Sequence, residues 1–422
     1  MATKTLADIV ATGKTVLMRV DFNVPVREGK VTNDRRIVQA LPSIRHVLEQ
    51  GGKLVLMSHF GRPGETGFEA EFSLRPVAHR LSSLLGKPVT VGPQSVIGPE
   101  LDQMVRSMAT GDVILLENVR FHPGETMSDK AKNNPDKKLT AEQQKTHDDF
   151  VAAIAKLGDM YVNDAFGTCH RKHASMYGVA KAIQAKGGPA IAGFLVEKEI
   201  RYLNEAMVAP KRPFLAILGG AKVSDKIGLI DNLLAKVDGI LIGGAMAYTL
   251  LKARGVQVGE SRVEQEQIES MSVLSAKAGG KMLLPLDHVA TGRFDPKTLE
   301  ADVPVEVDDV NIPDNLLGMD LGGRTIAAYR KAIEQAGTIV WNGPMGVFEL
   351  PEYATGTKAI AAAVAAATEK GTISVVGGGD SAAAVEPMGL DTKMTHVSTG
   401  GGASLEYLEG KPMPPIEVLD TR

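Results

Sequence analysis

The sequence predicts an α/β protein made of two doubly wound, Rossmann-like parallel-sheet domains joined by a helix hinge. Three observations predict it. Apolar runs of strand length recur along the chain, each followed by a short loop and a helical pattern. The runs are apolar along most of their length, which suits strands covered on both faces. With 422 residues, the chain is too long for one ordinary core.

In the first half the runs are TVLMRV (15–20), KLVLMS (53–58), DVILLE (112–117) and MYVNDA (160–165). In the second half they are FLAILG (214–219), GILIGG (239–244), TIVWNG (338–343), TISVVG (372–377) and THVSTG (395–400). Right-handed crossovers place every strand-to-helix loop at one sheet edge, where open α/β sheets bind ligands. The breaker AKGGPA (185–190) marks a boundary. A helical pattern follows, with Ile191, Phe194, Leu195, Tyr202, Leu203 and Met207 on one face, until Pro210 and Pro213 end it. This gives an N-terminal domain at 1–188, an interdomain helix at 189–207 and a C-terminal domain at 208–407. A charged stretch at 128–149 has almost no apolar residues and reads as a solvated insertion with some helix.

Composition narrows the function. Hydrophobic residues make 44% and charged residues 23%, as in soluble globular proteins. Lys and Arg number 47 against 50 Asp and Glu, so nothing favours nucleic-acid binding, which needs a basic surface. No apolar run has the length of a signal peptide or a membrane span; the Ala-rich run 359–368 reads as a soluble helix. The single Cys169 excludes an intrachain disulfide and fits a cytoplasmic setting.

The strand ends differ between the halves. First-half strands end in RVDFNVP, SHFGRP, ENVRFH and NDAFGTCHRKH. A parallel sheet brings Asp21, Asn23, His59, Arg62, Arg120, His170 and Arg171 to one edge, with Arg36 just beyond the first strand's loop. Arginines suit a small phosphorylated or carboxylated anion, because the guanidinium offers a planar fork of donors. Second-half strands end in glycine: Gly219-Gly220, Gly243-Gly244, Gly377-Gly378-Gly379 and Gly400-Gly401-Gly402. Glycine admits a ligand close to the backbone, and helix N-termini beyond offer free N–H groups. One such turn alone is an ordinary βα connection; four at one edge suggest nucleotide phosphates.

Neither standard nucleotide fingerprint, GxGxxG or GxxxxGK[ST], is present. Lys222 and Lys226 read either as a solvated face or as an anion site. Like charges four apart repel, and in a first helical turn they oppose the dipole, penalties that a bound anion relieves. Asp380 reads either as a helix N-cap or as a Mg²⁺ ligand. Cys169 reads as a small buried hydrophobe. Trp341, Val347 and Phe348 read as core, leaving Asn342 and Glu349 to reach a ligand.

With these motifs assembled, the chain resembles the phosphoglycerate kinase family over nearly its whole length. RVDFNVP, SHFGRP, ENVRFH, NDAFGTCHRKHAS, LAILGGAKVSDKI, GGAMAYTLLKARG, IVWNGPMGVFE, VVGGGDSAAAV and HVSTGGGASLEYLEG carry the resemblance, in order. It implies reversible transfer of a phosphoryl group between 1,3-bisphosphoglycerate and ADP, yielding 3-phosphoglycerate and ATP, with Mg²⁺. It matches Asp21, Phe22, Asn23, Arg36, His59, Phe60, Gly61, Arg62, Arg120 and Arg171 to the glycerate site. It matches Gly220, Lys222, Lys226, Gly244, Gly318, Asn342, Glu349, Gly378, Gly379, Asp380 and Ser381 to the nucleotide site, with Asp380 on the metal. Arg36, Lys222, Gly378 and Gly401 are expected to stabilise the transferring group. The resemblance also implies a monomer and a C-terminal tail, 408–422, that returns to the N-terminal domain.

Three departures from the family pattern stand out. The 128–149 insertion is long and is expected to lie away from the motifs. Gly323 replaces a usual proline and is expected to loosen a loop. Cys169 replaces a small residue and puts a thiol near the glycerate site. The competing readings are an NAD-dependent dehydrogenase, which the missing GxGxxG opposes, and a non-enzymatic protein that clamps a phosphorylated ligand.

Overall fold

Six short runs pair in parallel in the first part of the chain: β1 (Thr15–Val20), β2 (Lys53–Met57), β3 (Thr90–Val91), β4 (Val113–Leu115), β5 (Met160–Asp164) and β6 (Ala190–Ala192). They stand in the order β3-β4-β2-β1-β5-β6. Six more form the second sheet, ordered β9-β8-β7-β13-β14-β15 and again all parallel. These are β7 (Phe214–Leu218), β8 (Gly239–Ile242), β9 (Met282–Leu283), β13 (Thr338–Asn342), β14 (Ile373–Gly377) and β15 (His396–Val397). Between β9 and β13 in sequence lies a three-stranded antiparallel sheet of β10 (His288–Thr291), β11 (Val305–Val307) and β12 (Leu317–Leu321). The apolar runs did not announce it, because its strands are short and mix polar with apolar residues.

This computed structural model describes residues 2–422. The chain divides into two units: one reaches Ile200 and takes back Pro412–Arg422, and the other is Arg201–Lys411. In each unit the strand order reverses next to the first strand, which is where doubly wound sheets bind ligands.

Burial follows the pattern of the runs. In unit 1, Val16, Met18, Leu54 and Leu56 pack with Ile37, Ile44 and Val47 of the helix Arg35–Glu49. In unit 2, Ile217, Trp341 and Val376 pack with Ile333 of the helix Gly323–Glu334 and Ile360 and Val364 of Thr355–Glu369. The Ala-rich run therefore lies in a buried helix of a globular unit, and no helix among the described residues is long and apolar enough to cross a membrane.

The helix Phe194–Val208 crosses from one unit to the next, and each end is tied to its own unit. At its start, the Leu195 amide donates to Asp164 Oδ1 (2.9 Å) and the Phe194 amide to Ser43 Oγ (2.9 Å). In unit 2, Tyr202 stacks on His396 at 4.9 Å, and Asn204 accepts from the Tyr407 hydroxyl (2.6 Å). The expected helix over 189–207 starts too early. Ile191 lies in β6, because Ala190–Ala192 pair beside Tyr161–Asn163 of β5 and are fully buried there.

The tail is anchored in unit 1. Gln184 donates to the Val418 carbonyl (2.9 Å) and to Asp420 Oδ1 (2.7 Å), and Arg422 pairs with Asp8 (2.8 Å). Gly323 is not in a loop; it is the first residue of its helix, with open space where a side chain would sit.

Candidate active site

In unit 1 the ends of β1, β2 and the segment after β4 meet at one sheet edge. Asp21, just past β1, is nearly buried, and its Oδ1 accepts from Arg36 Nη1 (3.0 Å) and from the Asn23 amide (3.3 Å). Arg36 Nη1 also donates to the Asn23 carbonyl (3.1 Å), so the arginine is held by both. Asn23 Oδ1 in turn accepts from the Gly61 amide (3.0 Å). Gly61 has φ +59°, and a Cβ there would fall 2.5 Å from the Phe72 ring, so only glycine fits this turn. Its carbonyl accepts from Arg120 Nη1 (2.7 Å).

The positive charges are close enough to feel one another. Burial, then Arg19 and Arg120, hold the His59 imidazole well below its usual range, so it is neutral at pH 7. Burial lowers Arg120 too, with Arg19 and Arg171 adding repulsion. His170 is pushed down to about 4 by burial, then by Arg171 and His173, and its Nδ1 is buried without a partner. Arg120 Nε is likewise buried and unpartnered. Arg62 is exposed and has no hydrogen bond or ion pair among the described residues. Such an edge favours a small anion, which would relieve repulsion and satisfy idle donors.

The structure does not offer every expected residue. The Phe22 ring is fully buried in the core, its amide donates to Ser58 Oγ (2.9 Å) and its carbonyl accepts from the Val24 amide (2.9 Å), so nothing of it is free. Phe60 packs against the same core, and Asn118 holds both its amide (3.2 Å) and its carbonyl (2.6 Å). The Cys169 thiol is fully buried, accepts from Asn163 Nδ2 (3.4 Å) and has its ionisation pushed up by burial. It presents no reactive thiol to a ligand.

Sequence reasoning missed a buried relay beneath this edge. Arg19 is fully buried in β1; its Nε donates to Ser175 Oγ (2.8 Å), one Nη donates to the Val20 carbonyl, and Nη2 lies 3.2 Å from His59 Nδ1. Ser175 donates through its hydroxyl (2.7 Å) and its amide (2.8 Å) to the buried Glu125. The buried His173 lies 4.0 Å from Glu125 and 3.0 Å from Asp129, and Asp129 pairs with Arg171 (3.4 Å). The His173 contact holds Asp129 down at about 2. Asp129 belongs to the charged stretch, so that insertion is not remote from the site as expected; its first turn reaches a site arginine. Lys130 extends the attachment by pairing with Glu65 (3.0 Å).

In unit 2 a cavity of about 290 Å³ opens between the ends of β7, β13 and β14. Gly220, Lys222, Lys226, Asn342, Gly378, Gly379, Asp380, Ser381 and Gly401 all line it. Gly220, Gly378 and Gly401 have φ of +120°, +97° and +46°. A Cβ on Gly378 would lie 2.8 Å from Asn342 Nδ2, while nothing stands within 4 Å at Gly220 or Gly401. Asn342 Nδ2 donates to the Gly377 carbonyl (2.8 Å), leaving Oδ1 buried and unpartnered. The Ser381 hydroxyl is committed to the loop: it accepts from the Gly343 amide (2.6 Å) and donates to the Gly377 carbonyl (2.8 Å).

The lysines do not lie within a helix as expected. Lys222 is exposed in the loop, and Lys226 closes the 3₁₀ turn Ser224–Lys226 before the helix Ile227–Leu234 begins. The loop is held instead by Glu264, which accepts from the Val223 (2.6 Å) and Ser224 (3.1 Å) amides and the Ser224 hydroxyl (2.6 Å). Lys226 is 9% exposed, and burial lowers it to about 8 despite the attraction of Asp380. Asp380 is exposed and does not cap its helix; the N-cap is Gly378.

Three expected residues are not in this cavity. Gly244 packs behind it, where a Cβ would fall 2.5 Å from the Gly220 amide nitrogen. Gly318 lies in β12, where a Cβ would meet the Tyr248 hydroxyl at 2.0 Å, and Glu349 is exposed outside the lining.

Residues 6–411 match the family model described as phosphoglycerate kinase. The chain belongs to the phosphoglycerate kinase family. It is similar to phosphoglycerate kinases of Prosthecochloris aestuarii (51% identical) and Lactobacillus gasseri (49%), each alignment covering 100% of both chains. Among solved structures it resembles the phosphoglycerate kinase of Coxiella burnetii, at 39% identity and TM-score 0.81, over 99% of this chain and 98% of that one. It also resembles that of Pyrococcus horikoshii, at 32% identity and TM-score 0.81, over 98% of both. It is therefore a phosphotransferase of glycolysis acting on small-molecule substrates with ADP and ATP, and neither the dehydrogenase nor the clamp reading is favoured.

Proposed function

We propose that the unit 1 edge binds 3-phosphoglycerate or 1,3-bisphosphoglycerate, that the unit 2 cavity binds Mg-ADP or Mg-ATP, and that the phosphoryl group passes directly in line between them. The observation that carries this is the division of donors: site arginines gather at the unit 1 edge, with Arg120 Nε and Arg62 unpartnered, while glycine backbone and two lysines line the cavity in unit 2. In the ATP-consuming direction the nucleophile is a carboxylate, already ionised at neutral pH, so no general base is required. Positioning and charge neutralisation remain as the catalytic tasks. We assign them to Arg36, Lys222 and the backbone N–H groups near Gly378 and Gly401.

Among the described residues no cluster of three His, Cys, Asp or Glu side chains could hold a metal. The donors fit Mg²⁺ only in the manner usual at nucleotides, with Asp380 as the carboxylate beside phosphates and water. When bound, Mg²⁺ would neutralise phosphate charge. We infer that the units close to expel water that would hydrolyse the acyl phosphate, hinging at the helix Phe194–Val208 and its Gly187, Gly188 and Pro210 flanks. We further place the chain in the cytoplasm, in keeping with its single cysteine, and take it as a monomer, as the family resemblance implies.

A coupled assay of ATP formation from 1,3-bisphosphoglycerate and ADP tests the reading. ATP formed in proportion to enzyme supports it, and no ATP above the uncatalysed rate refutes it. An unchanged Mg²⁺ dependence in Asp380→Asn would remove Asp380 from the metal.

A further inference from the structure

A second cavity, of about 410 Å³, opens in unit 1 at the sheet edge opposite the arginine cluster. Its walls come from separate elements. Thr15 and Lys53 begin β1 and β2, and Asp159 immediately precedes β5. Asp102 and Arg106 lie on the helix Pro99–Arg106, and Lys156 caps the helix Ala141–Ala155.

The charges there do not balance. Three cations face two carboxylates. Asp102 Oδ2 is taken by Lys156 (2.7 Å), and Asp159 Oδ2 by the Thr15 amide (2.8 Å). The Lys53 ammonium and the Arg106 guanidinium are left with no hydrogen bond or ion pair among the described residues. Asp102 Oδ1 is buried with no donor. A buried acceptor left without a donor is costly, so a ligand donor would be favoured there. The cavity thus offers two idle cations and one idle acceptor, within a volume in the usual range of small-ligand sites.

We infer that this cavity is a second anion site, for a small phosphate ester that also carries a hydroxyl. The phosphate accepts from Arg106 and Lys53, a fork and a point charge suited to it, and the hydroxyl donates to Asp102 Oδ1. β1 spans the sheet between the two edges, so the site stands roughly 20 Å from Asp21 at about 3.3 Å per residue. Arg106 is exposed, so binding is weak and weakens further with salt.

The test is an NMR titration of the ¹⁵N-labelled full chain with glycerol 3-phosphate. Amide shifts at Lys53 and Gly158 report this cavity, and those at Asn23 and Gly61 report the arginine edge. The expected result is saturable shifts at Lys53 and Gly158, with inorganic phosphate binding severalfold more weakly. K53Q/R106Q should weaken that response at least tenfold while leaving the Asn23 and Gly61 responses and the phosphotransfer rate unchanged. R36A should do the reverse at the two edges, and dispersed spectra will show that each variant is folded. Absence of saturable shifts at Lys53 and Gly158, or shifts that persist in K53Q/R106Q, would overturn the site. Equal affinity for phosphate and the ester would overturn the hydroxyl contact to Asp102.

Discussion

The two candidate sites occupy equivalent places, the C-terminal edge of a parallel sheet beside its first strand, yet they are made of different material. In unit 1 the donors are side chains, and other side chains hold them: Asp21 fixes Arg36, and the buried Arg19 stands behind His59. In unit 2 the surface is mostly backbone, opened by glycines at positive φ and edged by two lysines. A cluster of arginines reads a compact anion by charge and fork geometry. A glycine cradle reads phosphates through N–H groups that reach them only where no Cβ intervenes. Side-chain sites should therefore fail by loss of charge, and backbone sites by gain of bulk.

The largest effect is expected at Arg36. R36A should lower kcat by roughly 10²–10³, the loss typical of one preorganised charge-stabilising donor, while ADP affinity stays within twofold. K222A should lower kcat by about 10² with 3-phosphoglycerate binding spared. If either variant weakens the other unit's ligand, the division between side-chain and backbone sites breaks. G378A changes no charge, but puts a Cβ at φ +97° and 2.8 Å from Asn342 Nδ2. It should cost about 1–3 kcal/mol, read as at least a fivefold rise in the ADP Kd by calorimetry, with glycerate binding unchanged.

Lys226 sharpens the comparison through pH. Burial holds it at about 8, so it is charged below that pH and neutral above it. ADP affinity should fall as pH rises through about 8, and K226R, which stays charged, should flatten that fall. The smallest effect is expected at Asp129, which pairs with the half-exposed Arg171. D129N should lower the KM for 3-phosphoglycerate by about two- to threefold with kcat unchanged, because exposed pairs of this kind are worth roughly 0.2–1 kcal/mol.

What the sequence revealed depended on range. Apolar runs and the glycines or arginines at their ends are local signals, and the structure lines the unit 2 cavity with Gly220, Lys222, Asn342 and Gly378. The relay from Arg19 through Ser175 to Glu125 was hidden, because its members are far apart in sequence. Its one local trace was an arginine in the otherwise apolar run TVLMRV, all of whose residues after Thr15 are buried. Asp129 was lost in a stretch whose charge suggested solvent alone. Gly244 and Gly318 read as ligand contacts, yet their neighbours show a packing reason for glycine: the Gly220 backbone in one case and the Tyr248 hydroxyl in the other. No local pattern separates a glycine that clears space for a ligand from one that clears space for its own chain.

The most direct measurement is calorimetric binding of 3-phosphoglycerate and of ADP, each to wild type, R36A and G378A. The predicted result is a crossed pattern: R36A weakens the glycerate alone, and G378A weakens the nucleotide alone. Loss of both ligands in either folded variant would contradict the assignment of one substrate to each unit.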